Sequence, residues 1–396
     1  ILKEDMAASD KVRIQYASKY AQSSNYWKNS IGMSRGIKRL DVKGRKQEQE
    51  AAFRAWAAKN TLPTEGYVDA LDKIRESVEE NLPAFASRQY LQEAFLRAVE
   101  ILTPARYALS LKGEELENAL KGFYKDYNMP TDRRVAKRMF RIVKENCKEL
   151  PSVFAEVIDK EFGGDTDAYV DYLYDNSVLA DETQALAAAA SGKDFAKDPA
   201  VLLSRSVAKK MRALSEVQRD GQQKYADGHR LYIAGLMRMQ PKKAWASDAN
   251  FTIRLTYGRV LPYNPADGIR YNYYTTLKGV MEKENPDNPT EFTVPAKLKE
   301  LYAAKDFGRY ANAAGELPTC FLADCDITGG NSGSPVLNGK GSLIGLAFDG
   351  NWEAMSGDVA FEPELQRTIA VDVRYVLFVI DKFAGAGWLL DELQFE

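Results

Sequence analysis

The sequence predicts an α+β protein, with an all-α helical domain over residues 1–240 and a β-rich domain over residues 241–396. Three observations carry that prediction. Upstream of Pro241, apolar residues recur at helical spacing between short breaks bearing Pro or Gly. Downstream, short runs alternate apolar and polar residues, as half-buried strands do. The length, 396 residues, exceeds one ordinary domain and suits two or three.

The elements follow in order. Lys11 to Ala21 has a helical rhythm, which the polar and aromatic run Ser23-Ser24-Asn25-Tyr26-Trp27-Lys28-Asn29 is expected to interrupt. Tyr26 and Trp27 there either line a cleft or fill core. Lys46 to Ala58 is rich in good helix formers. Pro63-Thr64 and Thr131-Asp132 are read as N-cap pairs, and Val135, Met139 and Ile142 as one apolar stripe. The neighbouring Arg133, Arg134, Lys137 and Arg138 are read as a solvated surface. Gln184 to Ala190 is an alanine-rich helix, and Val207 to Met239 a long helical stretch with breaks expected at Asp220-Gly221 and Asp227-Gly228. That makes roughly eight helices by periodicity.

Beyond Pro241, Phe251 to Tyr257 and Tyr271 to Thr276 read as strands, with turn chemistry from Pro262 to Gly268 between them. Glu282 to Pro295 reads as a loop and Ala296 to Ala304 as a short helix. Pro335–Leu337 and Ser342–Phe348 form a hairpin about Asn338-Gly339-Lys340-Gly341. Thr368 to Val373 is a further strand, leading into a helix over Val376 to Phe383.

Composition narrows the function classes. With 45% hydrophobic and 28% charged residues, a folded, soluble chain is expected. A net charge of −2 lacks the basic excess of a non-specific nucleic-acid binder. No run approaches the ~20 apolar residues of a membrane span. The three cysteines, Cys147, Cys320 and Cys325, form neither a disulfide framework nor a metal cluster. Cys320 and Cys325 either pair or stay as two free, buried thiols. The start, Ile1-Leu2-Lys3-Glu4-Asp5-Met6, shows no signal peptide and no initiator Met, and is read as a fragment of a longer chain or a processed product.

The chemistry concentrates in Asp324-Cys325-Asp326-Ile327-Thr328-Gly329-Gly330-Asn331-Ser332-Gly333-Ser334-Pro335-Val336. A glycine-flanked turn lifts the Ser332 hydroxyl out of the backbone and leaves N–H groups beside it for an oxyanion. Gly330 and Gly333 let a carbonyl approach without a Cβ in the way. The eight residues Thr328 to Pro335 resemble the nucleophile loop of chymotrypsin-like serine peptidases. Together with the long helical region and Gly345-Leu346-Ala347-Phe348-Asp349-Gly350-Asn351-Trp352, the chain resembles the bacterial dipeptidyl-peptidase family that includes dipeptidyl-peptidases 7 and 11.

The resemblance covers the whole chain but only the second half of the family's architecture. It implies a C-terminal chymotrypsin-like β-barrel carrying Ser332 as nucleophile, with Gly330 and Ser332 N–H groups as the oxyanion hole. It implies release of dipeptides from peptides with a free N-terminus, whose ammonium is held by Asp349 and an asparagine of the helical domain. That asparagine is Asn25, with Asn29 the alternative. Gly350, eighteen residues after the serine, stands where relatives selective for acidic P1 carry arginine; glycine there implies a hydrophobic P1, and equally permits a turn at the strand end. The family's catalytic His and Asp belong to an N-terminal barrel with no counterpart here, so this chain alone is expected to be inactive. The single histidine, His229, is read as a surface or structural residue, and Asp324 and Asp326 as loop-capping or solvated carboxylates.

No metal or organic cofactor is implied. The family implies export to the periplasm or cell surface and a homodimer through the helical domain. The competing class is a non-catalytic helical binding protein whose barrel is an inactive relic.

Overall fold

Residues 1–245, 250, 252–288 and 291–395 are described by the structure, a computed structural model. The chain divides into two compact units: residues 1–24 with 49–245, and residues 25–48 with 246–396. The segment 25–48 thus groups with the β-bearing unit, an excursion that a boundary drawn at 240/241 leaves out. It has no break in helical composition to mark it.

The helices are α1 (Leu2–Ala8), α2 (Asp10–Arg39), α3 (Val42–Asn60), α4 (Ala70–Leu91), α5 (Leu102–Ser110), α6 (Gly113–Lys125), α7 (Met129–Asn146), α8 (Asp159–Glu161), α9 (Thr166–Asn176), α10 (Glu182–Ala190) and α11 (Pro199–Met239). The helix α2 is continuous through Ser23–Asn29, against the interruption that the polar run suggests. Tyr26 and Trp27 are 60% and 65% exposed, so neither fills core.

In the first unit, α11 also runs unbroken through Gly221 and Gly228. The glycines do not end it, because they face a neighbour. Gly221, Gly228 and Gly235 recur every seven residues, two helical turns apart on one face. A Cβ on Gly228 would stand 2.7 Å from the Ala70 carbonyl oxygen, and one on Gly235 2.5 Å from Phe53 Cε2. Ser77 Oγ donates to the Gly221 carbonyl at 2.6 Å. Ala70 lies beside Gly228 and Ser77 beside Gly221, so α4 and α11 run antiparallel and close.

Two caps differ from expectation. Pro63–Glu65 is a separate 3₁₀ turn, closed by Leu62 N–H on the Glu65 carboxylate at 2.7 Å, and α4 starts only at Ala70. The N-cap of α7 is Asn128, whose Oδ1 accepts Thr131 N–H at 3.1 Å. Asp132 is buried inside α7 instead. Its carboxylate accepts the N–H groups of Glu100 and Ile101 at 2.7 and 2.8 Å, where α5 begins, and the hydroxyls of Tyr127 and Tyr174 at 3.2 and 2.7 Å. Burial, and after it the Glu100 charge, push its pKa up to about 7, against the lowering effect of the hydrogen bonds from Tyr174, Glu100 N–H and Ile101 N–H. The buried row of α7 is Ala136, Phe140 and Val143, one position on from Val135, Met139 and Ile142, which are half-buried.

The second unit holds a hairpin, β1 (Tyr263–Ala266) with β2 (Ile269–Tyr271), turning on Asp267 and Gly268, with glycine at the positive-φ position (φ +71°). It also holds a five-stranded antiparallel sheet, ordered β3 (Tyr274–Thr276), β4 (Pro318–Ala323), β7 (Thr368–Asp372), β6 (Leu343–Gly350), β5 (Pro335–Leu337). This sheet is open, with β3 and β5 at its edges, and no closed barrel forms among the described residues. Tyr271 to Thr276 is therefore not one strand, since its two ends serve different sheets.

The strand expected over Phe251–Tyr257 does not form among the described residues, and Phe251 itself lies outside them. From 252 to 259 the chain has no ladder partner, leaving Ile253, Leu255 and Tyr257 more than 80% exposed. Pro289, in the expected loop, also lies outside the described residues. The helix α12 (Leu277–Glu282) precedes that loop, α13 (Ala296–Ala303) follows it, and α14 (Val373–Phe378) starts directly from β7, three residues before the expected Val376. Leu277, Leu298, Phe307, Tyr310, Leu317 and Phe378 form the core of this unit.

Candidate active site

Ser332 stands in the loop between β4 and β5, and two consecutive turns present it. In the first, Asn331 N–H donates to the Thr328 carbonyl at 3.1 Å, and Thr328 N–H donates back to Asn331 Oδ1 at 3.1 Å. In the second, Ser334 N–H donates to the Asn331 carbonyl at 2.9 Å. The third residues of these turns are Gly330 (φ +108°) and Gly333 (φ +84°), the position that demands positive φ in a type II turn. Gly333 N–H donates to the Ala347 carbonyl at 2.7 Å, and Ala347 N–H donates to the Ser334 carbonyl at 2.9 Å, so the loop is bolted to β6. Ser332 is exposed. Among the described residues neither Gly330 N–H nor Ser332 N–H has an acceptor in the chain.

The approach to the loop is pinned from beneath. Thr368 Oγ1 donates to the Cys325 carbonyl at 2.8 Å. Asp324 accepts Arg259 N–H, and Asp326 N–H donates to Thr256 Oγ1 at 3.1 Å. Asp324 is thus a loop cap. Burial raises the Asp326 pKa, with Arg254 lowering it and Asp358 raising it. Cys320 and Cys325 are both free and half-buried, so the pairing left open by the sequence is absent. Burial pushes both thiols up, away from the reactive thiolate.

Asp349 owes its exposure to a β-bulge. Strict alternation would place it on the face of Gly345 and Ala347, both buried. The register of β6 on β7 slips between Ala347 (opposite Ala370) and Asp349 (opposite Ile369), with Phe348 the extra residue. The phase change turns the carboxylate out to solvent. One of its oxygens accepts Gly350 N–H at 2.8 Å. A Cβ on Gly350 would stand 2.9 Å from Ala354 Cβ, so a turn built close against the strand end demands glycine there.

That turn, Trp352–Ser356, belongs to a loop held by buried polar side chains. Asn351 Nδ2 donates to Glu353 at 2.9 Å and to the Leu365 carbonyl at 2.8 Å, while its Oδ1 accepts Arg367 N–H at 2.9 Å. The buried Arg367 guanidinium donates to the carbonyls of Pro262, Pro363, Glu364 and Gln366. Asn351 lies in the Gly345–Trp352 run but its locking role has no signal there, and Arg367 falls in no motif.

Asn29 Nδ2 reaches Met355 Sδ on the same turn at 3.5 Å. Asn25, one turn earlier on α2, is exposed. Of the two asparagines, Asn29 is thus the one that touches the segment following Asp349. His229 lies on α11 in the first unit, its ring stacked on Tyr225 at 5.5 Å and its surface open to solvent. No cluster of three or more metal-ligating side chains occurs among the described residues.

A cavity of about 590 Å³ adjoins the loop, lined by Gly333, Ala347, Phe348, Cys320, Val371 and Lys283 among others. Its walls are mainly apolar, and its size is that of a ligand pocket. Gly350 is not among the residues that line it.

The family described as Peptidase S46 matches residues 1–395. Dipeptidyl-peptidase 7 of Phocaeicola vulgatus is 49% identical over 99% of this chain and 57% of its own length. Dipeptidyl-peptidase 7 of Porphyromonas gingivalis is 46% identical over 100% and 57%. The Asp/Glu-specific dipeptidyl-peptidase of Porphyromonas gingivalis is 38% identical over 99% and 57%. Among solved structures, Porphyromonas endodontalis DPP11 in complex with dipeptide Arg-Glu superposes with a TM-score of 0.90 at 34% identity, covering 100% of this chain and 59% of that one. The chain thus spans little more than half the length of the relatives it matches.

Proposed function

The chain belongs to the Peptidase S46 family, and on that premise we propose that it carries the nucleophile and substrate grip of a serine dipeptidyl-peptidase. Ser332 Oγ attacks the carbonyl carbon of the second residue of a peptide, and a general base takes its proton. The carbonyl oxygen becomes an oxyanion held by the Gly330 and Ser332 N–H groups, each contributing roughly 3–4 kcal/mol when preorganised. The C–N bond breaks, the amine leaves with the proton, and water releases the dipeptide from the acyl-enzyme. Asp349 receives the substrate's ammonium, assisted by Asn25 or Asn29. The observation that carries the reading is the double turn that exposes Ser332 and frees two N–H groups beside it.

The base and its carboxylate are proposed to come from polypeptide outside residues 1–396. His229 stacks on Tyr225 within α11, and a triad base sits on a barrel strand in the chymotrypsin-like arrangement. The five-stranded sheet is read as part of such a barrel. A hydrophobic P1 is proposed because Gly350 offers no cation and because the relatives at 46–49% identity are called dipeptidyl-peptidase 7. Export to the periplasm or cell surface and pairing of two copies belong to the same proposal.

The test is mass spectrometry of a decapeptide with an apolar second residue, incubated with the natural polypeptide that contains these residues. Stepwise loss of dipeptides is expected from the free peptide and none from its N-acetylated form. Internal cleavage of both forms alike would refute the exopeptidase reading.

A further inference from the structure

Asn25, Asn29, Gly32 and Gly36 follow one another on α2 at intervals of four, three and four residues, and therefore share one face. The two glycines of that face are buried against the Trp352–Ser356 turn, within the second unit. A Cβ on Gly32 would stand 2.5 Å from Met355 Cγ and 2.8 Å from its Cβ. A Cβ on Gly36 would overlap Ser356 Oγ and stand 2.6 Å from Ser356 Cβ. Ser356 is fully buried, and its hydroxyl, aimed at Gly36, has no hydrogen-bond partner. A buried orphan hydroxyl is costly, and no hydrogen bond of Ser356 offsets that cost at this close seat. Two further ties hold the same stretch to the same loop: Arg35 lies 5.7 Å from the Trp352 ring centre, and Arg45 pairs with Glu362 at 3.7 Å.

The turn is equally fixed to Asp349. It begins two residues after Gly350, Ala354 packs on Gly350, and Asn351 and Arg367 lock its base. We infer that the seating of Gly32 and Gly36 on Met355 and Ser356 sets the separation between the asparagine face of α2 and Asp349, and so sets the length of substrate released. Gly32, Gly36 and Ser356 are positioning residues here: they touch no substrate and act through Asn25 and Asn29. The inference rests on the proposed dipeptidyl-peptidase reading.

The experiment uses the natural polypeptide that contains these residues, as wild type, Gly36→Ala, Ser356→Gly and the double variant. Each is assayed on a fluorogenic dipeptide with a free amine, its N-acetylated form, and a tripeptide. An added methyl displaces α2 by a fraction of an ångström or more, and misplacement on the order of 1 Å costs on the order of 10²-fold. Gly36→Ala is expected to raise KM for the free dipeptide at least tenfold and to lower the preference for free over acetylated substrate. The double variant, which removes the Ser356 side chain, is expected to restore both to within about threefold of wild type. Met355→Ala empties the seat without adding bulk and covers the case in which Gly36→Ala does not fold; it too should raise KM and erode the preference. Unchanged KM and preference in Gly36→Ala, a fall in kcat alone, or failure of the double variant to recover would overturn the inference. A wild-type protein that releases no dipeptides would refute the functional reading itself, and this inference with it.

Discussion

Replacing Asp349 by Asn keeps the shape of the side chain and removes its charge. In the free protein the carboxylate is exposed, with one oxygen engaged by Gly350 N–H at 2.8 Å. Asparagine retains that bond through its carbonyl oxygen, so the strand end and its bulge should be undisturbed. An ammonium at ~3 Å in a site of effective dielectric ~20 gains roughly 5–6 kcal/mol from the carboxylate. Both ions give up hydration to meet, and the net value of a hydrogen bond to a charged group is about 1.5–3 kcal/mol. Asp349→Asn is therefore expected to lower kcat/KM for free dipeptide substrates by roughly 10- to 150-fold, chiefly through KM. The pH profile sharpens the test. A peptide α-amino group titrates near pH ~8, so wild-type kcat/KM falls as the ammonium loses its proton above that pH. The variant has no carboxylate to sense the change, and that alkaline limb should flatten. Steady-state assays from pH 6 to 9.5 read both effects. An Asp349→Asn variant with wild-type KM and an unchanged alkaline limb would refute the assignment.

Three further outcomes are expected. Gly350→Ala should destabilise the protein by about 1–3 kcal/mol through its contact with Ala354, and Ala354→Gly should relieve it; Gly350→Arg with Ala354→Gly is expected to shift preference from apolar to acidic P1, read as the ratio of kcat/KM for the two substrates. Asp132, with its pKa raised to about 7, keeps its proton in the folded state while the unfolded carboxyl loses one near pH ~4. Its contribution to stability is thus greatest at acid pH, declines between about pH 4 and pH 7, and is flat above. Urea unfolding at pH 5 and pH 8 should show this decline in wild type and its loss in Asp132→Asn. A decline of equal size in Asp132→Asn would remove Asp132 as its source.

The readable parts of this chain are those set by local chemistry. The Thr328–Pro335 run announces two glycine turns around an exposed serine, because positive φ at Gly330 and Gly333 is a property of the turn itself. The β5–β6 hairpin is legible for the same reason, whereas the Pro262–Gly268 run read as a turn holds strand β1 over Tyr263–Ala266 and turns only at Asp267-Gly268. What the sequence conceals depends on neighbours. Gly221 and Gly228 look like breaks, yet they are where α11 meets α4. Thr131-Asp132 looks like a cap, yet Asp132 serves the start of α5, some thirty residues upstream. The polar run Ser23–Asn29 looks like a loop, yet it is the exposed continuation of a face that Gly32 and Gly36 seat. The bulge that turns Asp349 outward has no marker of its own, since it arises from the register between β6 and β7. The open sheet, with free edges at β3 and β5, is a matter of strand order that periodicity does not report.

Ser332 as nucleophile is tested by reaction of the natural polypeptide with a fluorophosphonate, followed by peptide mapping. A single adduct on Ser332, absent in Ser332→Ala and weakened in Gly333→Ala, is the predicted result. A folded protein in which Ser332 stays unmodified, or in which the probe settles on another residue, would contradict it.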